Sequence, residues 1–141
     1  MRDAFGLERF VVAQDEHNTY EQALEELRAG RKASHWMWFV FPQRAGLGHS
    51  AMSRRFAISS LEEARAYLDH PILGTRLRTC ATIVAQTQGR TAQDIFGAID
   101  ALKLRSSVTL FLQVQPDEPA LRDVLDRYFE GRGDPRSLLP Q

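Results

Sequence analysis

The sequence predicts an all-α fold, a compact single-domain bundle of about six or seven short helices spanning residues 1–141. Three observations lead there. Apolar residues recur three and four apart through most of the chain, the period of an amphipathic helix. Helix-starting residues and glycines punctuate these stripes at helical lengths. No repeat, low-complexity tract or Gly/Ser/Pro-rich linker divides the 141 residues, a length typical of one domain.

In chain order, Leu7, Phe10, Val11 and Gln14 place a first helix over Ala4 to Gln14. Thr19 and Gln22 have capping-box spacing and open a second, with Tyr20, Ala23, Leu24 and Leu27 on its apolar face. Gly30 is placed to end it in a left-handed cap. Trp36 to Phe41 is an uninterrupted apolar run that reads either as a short helix or as a buried extended segment. Arg44 to His49 reads as a loop. Ser60 and Glu63 form another capping box before Leu61, Ala64, Tyr67 and Leu68, and Asp69-His70-Pro71 breaks that helix. Leu73, Leu77, Cys80, Ala81 and Val84 mark the next, which stops before Gly89. Thr91 to Phe96 is a short helix ended by Gly97. Asp100 then caps a helix carrying Leu104, Val108, Phe111 and Leu112; a strand over Val108 to Val114 is the weaker alternative. Leu121, Val124, Leu125, Tyr128 and Phe129 form the cleanest stripe, closed by Gly131.

Composition excludes several classes of function. Lys plus Arg equals Asp plus Glu at 18 each, so a protein that chiefly coats nucleic acid is not expected. Cys80 is the one cysteine, which forbids an intramolecular disulfide and fits a reducing, cytoplasmic setting. Met1 to Phe5 lacks the apolar core of a signal peptide, and the longest apolar run falls short of the roughly 20 residues needed to cross a bilayer. His17, His35, His49 and His70 show no metal-ligand spacing, so neither a metal nor another cofactor is expected. Cys80 lies on an apolar stripe and reads as a small core residue. The carboxylate pairs Glu25-Glu26 and Glu62-Glu63 read as solvated helix faces. The oligomeric state is left open.

The stretch Lys32-Ala33-Ser34-His35-Trp36-Met37-Trp38-Phe39-Val40-Phe41-Pro42-Gln43 carries the most chemistry. Both tryptophans sit in it, directly after cations, a hydroxyl and a histidine. His35 can serve as acid, base or hydrogen-bond donor, and Arg31 and Lys32 beside it attract an anion. The same residue types also suit a core segment with a polar rim, in which His35 bonds a carbonyl and the tryptophans are buried. Gly46-Leu47-Gly48, followed by Ser53, Arg54 and Arg55, could bring backbone amides to a phosphate, although the spacing is that of no phosphate-binding loop. Lys103, Arg105, Ser106 and Ser107 cluster near the helix start at Asp100, where cations and hydroxyls suit an anionic group; the two serines equally suit close helix packing.

The tryptophan stretch closely resembles the hallmark of the bacterial family named domain of unknown function 1810. The likeness continues through Gly46-Leu47-Gly48, Ser53, Tyr67-Leu68-x-His70-Pro71-x-Leu73-Gly74-x-Arg76-Leu77, Phe96-Gly97, Lys103-Leu104-Arg105-Ser106-Ser107-x-Thr109-Leu110-Phe111 and Leu125-Asp126-x-Tyr128-Phe129-x-Gly131. Phe56 departs from the tyrosine usual in the family. The resemblance implies a compact helical bacterial domain and no assigned activity. Some members carry the label calpastatin, but this sequence has no disordered inhibitory repeat. A fainter likeness of general character, to the helical NADAR proteins, points toward NAD and ADP-ribose chemistry.

So many polar positions in the hallmark favour a pocket. The expected function is binding or processing of a small anionic, nucleotide-like ligand. His35 is the candidate catalytic group, and Lys32, Ser34, Trp36, Trp38, Gln43, Lys103, Arg105, Ser106 and Ser107 are candidate ligand contacts. The alternative is a non-enzymatic interaction module that presents Trp36 and Trp38 to a protein partner.

Overall fold

The apolar stripes become helices at nearly every expected place. The computed structural model describes residues 3–140, and every regular element among them is helical apart from one isolated parallel bridge between Arg44 and Ile58. Helix α1 covers Glu8–Asp15 and buries Phe10, Val11 and Gln14. It starts later than the sequence predicts. Gly6 takes φ +65° and Asp3 accepts from the amides of Leu7 and Glu8 at 2.8 and 2.9 Å, so the chain turns before the helix begins.

Helix α2 is Thr19–Arg28. The expected Thr19–Gln22 capping box does not form. Asn18 enters the helix at φ +57°, Thr19 Oγ1 donates to Glu16 O at 2.6 Å, and Gln22 donates to Glu26 at 3.0 Å. The C-terminus behaves as expected. Gly30 at φ +73° donates to Leu27 O and Arg31 to Glu26 O, both at 3.0 Å, which closes a Schellman motif.

The tryptophan run folds as one helical turn, α3 (Met37–Val40), with Trp36 and Phe41 as its flanks. One of its carbonyls is held by the core: Phe39 O accepts from Gln14 Nε2 at 2.7 Å and Tyr67 Oη at 3.2 Å. Phe56 lies on Phe10 and Phe39, ring centroids 5.6 and 5.3 Å away, so this position serves packing here. It follows the short α4 (Ala51–Arg55).

Helices α5 (Leu61–Asp69), α6 (Leu73–Gln86), α7 (Ala92–Val114) and α8 (Pro119–Phe129) build the centre. α6 packs on α5, α8 and α2, while α7 packs on α5 and α8. Ser60 caps α5 by accepting from Glu63 N at 3.0 Å, but the Glu63 carboxylate accepts from Ser59 N and Arg9 Nη2 at 2.9 Å each. Glu63 is therefore buried and paired, not on a solvated face. Thr91 and Asp94 make a reciprocal capping box at the start of α7.

Two expected helices thus run together as α7, broken at Gly97 alone. Its φ 82°, ψ 165° lie in a region essentially reserved for glycine. Asp100 is not the cap of the second part; it lies within the first turn after the break. Val108–Val114 is helical, so the strand alternative fails.

Ser107, fully buried on α7, carries a hydroxyl with no hydrogen-bond partner among the described residues. Burying an unbonded hydroxyl is a cost, and serine at this site keeps the helix surface small. Ser107→Ala should therefore leave urea-unfolding stability unchanged or raise it by about 1 kcal/mol. A loss of similar size would show that the hydroxyl has a role in the fold.

Candidate functional site

Glu26 organises the segment between α2 and α3. It lies on the same helical stripe as Ala23, Leu27 and Gly30, and is only 6% exposed. Oε1 accepts from Ala33 N at 2.8 Å, Ser34 N at 3.0 Å and Trp36 Nε1 at 2.9 Å. Oε2 accepts from Ser34 Oγ at 2.5 Å and Gln22 Nε2 at 3.0 Å. Burial pushes this carboxyl up, but the bonds from Ser34, Ala33, Gln22 and Trp36 outweigh it and bring the pKa down to about 2. The solvated-face expectation is corrected for Glu26. Its place between Leu24 and Leu27, on the buried stripe, was the available sequence signal.

With residues 33–36 pinned to α2, Lys32 is directed toward α7. Its amide donates to Ile95 O at 2.7 Å. Its side chain is 7% exposed, and its ammonium lies 2.9 Å from Asp100 Oδ2, donates to Ser34 O at 2.5 Å and sits 5.0 Å from the Trp36 ring. Lys103 approaches the same carboxylate more loosely, 3.7 Å from Oδ1, and stands 5.5 Å over the Trp38 ring. One carboxylate thus faces two lysines, which leaves one positive charge in excess. The exposed His35 ring lies 6.5 Å from that of Trp38.

These side chains border an open groove of about 440 Å³, walled by Met37, Trp38, Phe96 and Ile99 and edged by Lys32, His35, Asp100 and Lys103. The break at Gly97 lies on the groove, so the helix that follows starts at its edge. Gly97 supplies no side-chain cap. Among the described residues no side chain accepts from the amides of Ala98, Ile99 or Asp100.

The other candidates lie elsewhere. Trp36 is fully buried behind the groove, edge-on to Phe96, and does not line it. The flat patch of Trp36 and Trp38 required of an interaction module therefore does not form. Ser34 is committed to Glu26. Arg105 does not reach the groove either: it donates to Arg132 O at 2.8 Å and Gly133 O at 3.1 Å, tying the C-terminal loop to α7. Ser106 shares a 2.6 Å hydrogen bond with Ser137 Oγ. Gln43 and Ser106 line an adjoining, smaller cavity, and Ser107 lines neither. Cys80 is buried, and its thiol is pushed up to about 12 by that burial, as a core residue would be. Sequence reasoning missed Met37, Phe96 and Ile99 as walls; each reads as an ordinary apolar helix position.

The profile of the family described as "Protein of unknown function (DUF1810)" matches residues 4–139. The chain belongs to this family. Among solved structures, a similar one is the crystal structure of the conserved hypothetical protein Rv1873 from Mycobacterium tuberculosis. It is 51% identical, with 96% of this chain and 95% of that chain covered and a TM-score of 0.92. No curated protein matches. Seen in this DUF1810 fold, the hallmark residues divide between tasks. Lys32, His35, Trp38 and Lys103 border the groove, while Ser34, Trp36, His70, Gly74 and Arg105 hold backbone and helices in place. No helix among the described residues is long and apolar enough to cross a membrane.

Proposed function

We propose that the groove binds a small anionic, nucleotide-like ligand, with NAD- or ADP-ribose-related compounds as the narrower class. The observation that carries this reading is the convergence of Lys32, His35, Trp38 and Lys103, from two distant segments, on one cavity of about 440 Å³. Apolar walls with a few converging polar groups are the usual makeup of a small-molecule site. Lys103 supplies the charge for an anion and Trp38 a face for a planar ring. Lys32 holds Asp100 in place at 2.9 Å, which leaves the more loosely placed Lys103 as the positive charge in excess. His35 has no hydrogen-bond partner among the described residues and is the group available to donate or move a proton. This reading assumes a cytoplasmic setting, which a single unpaired cysteine fits.

A thermal-shift panel of AMP, ADP, ADP-ribose and NAD tests the reading. At a hundred times the dissociation constant, ligand should add about 2.7 kcal/mol to the stability of the wild type. Lys103→Ala and Trp38→Ala should abolish most of that gain. No stabilisation of the wild type by any member of the panel would count against the proposal.

A further inference from the structure

The smaller cavity gives the groove a second lobe. It measures about 210 Å³ and shares Ile99 and Lys103 with the larger one. We infer that the site takes a two-ended ligand: a planar ring in the first lobe, an anionic link at Lys103, and an uncharged, hydroxyl-rich group such as a sugar in the second. This rests on the ligand-binding reading above and specifies its substrate class.

The distribution of charge supports that order. The first lobe holds two lysines against one carboxylate. In the second, Arg136 Nε lies 3.4 Å from Asp134 Oδ1, so the lobe's own charges pair and the one cation in excess is Lys103, which both lobes share. Apart from Lys103 and this pair, its polar groups are neutral. The Gln43 carboxamide has no hydrogen-bond partner among the described residues, and Ser53 Oγ is 2.9 Å from Ser50 Oγ. An amide, a hydroxyl and a carboxylate offer both donors and acceptors, which suits a sugar's hydroxyls better than a second phosphate. The wall is close to bare backbone at Gly48, where a Cβ would fall 2.4 Å from Ser53 Oγ. Lys103, the cation common to both lobes, then lies nearest the middle of a bound ligand.

Isothermal titration of the full chain with ADP and with ADP-ribose, which differ by the terminal ribose, tests the second lobe. GDP and GDP-mannose repeat the comparison with another base and sugar. The sugar-bearing member of at least one pair should bind about tenfold more tightly than its diphosphate. Gln43→Ala and Ser53→Leu should each remove most of that difference while leaving diphosphate binding unchanged; Lys103→Ala should weaken both members alike. Should Ser53→Leu fail to fold, Gln43→Ala decides. Equal affinities within both pairs, or a difference insensitive to Gln43→Ala, would overturn the second lobe and leave the first standing. Absence of binding by all four compounds would overturn both.

Discussion

Glu26→Ala should lower the stability of the fold by about 4 kcal/mol, because it strips a buried charged acceptor from one buried and several part-buried donors at once. Trp36 Nε1 and the amides of Ala33 and Ser34 all converge on Oε1, and none has another acceptor among the described residues. Urea unfolding reads the effect as a fall in midpoint with little change in slope. Glu26→Gln keeps one carbonyl oxygen for those donors and should cost about half as much.

The same carboxylate sets a pH dependence. Its pKa falls from an ordinary 4.5 to about 2 in the folded protein. A group depressed by folding contributes fully above its unfolded value, and that contribution disappears as pH drops through the folded one. Wild type should therefore lose about 3 kcal/mol between roughly pH 5 and pH 2 on account of Glu26. Glu26→Gln should show a correspondingly flatter profile. Identical acid profiles for the two proteins would refute this account of the tryptophan segment.

Gly74→Ala is the second large effect. A Cβ there would lie 1.9 Å from Leu68 O, a backbone atom already accepting from Arg78 Nη1 at 3.1 Å. The turn between α5 and α6 has no slack to absorb it. His70 Nδ1 accepts from Ile72 N and Leu73 N at 3.1 and 3.2 Å, and Gly74 N donates to His70 O at 2.9 Å. Overpacking against backbone should cost about 3 kcal/mol, or about 10 °C in Tm for a domain of this size. A loss below about 1 kcal/mol would mean that the two helices can slide apart freely. The Tyr67–Leu77 portion of the hallmark thus has a structural reading: it fixes a tight helix–helix turn.

Helices were legible where burial and periodicity coincide, as in α6 and α8, whose stripes read directly from Leu73 to Val84 and from Leu121 to Phe129. Charged and polar residues were less legible, because their partners lie far along the chain. Asp100 has the look of a helix cap, but its carboxylate is taken by Lys32 from the other side of the groove. Arg105 has the look of an anion contact, yet two backbone carbonyls of the C-terminal loop occupy it. Thr19 and Gln22 had the right spacing for a box, and lost to Glu16 O and to Glu26. Spacing alone cannot rank such competitors. Lys32, His35, Trp38 and Lys103 were legible as site candidates because their residue types cluster in the sequence; that they border one cavity needed the tertiary fold.

The hydrogen bond from Lys32 to Ile95 has a consequence for how the protein is made. The two banks of the groove are far apart in the chain, and closing the loop between them costs entropy that only the finished core repays. Neither bank holds the arrangement alone: one needs Glu26 on α2, the other the break in α7. The groove should therefore form only as the whole chain assembles, so occupancy of the groove would report on complete folding and not on any local part of it.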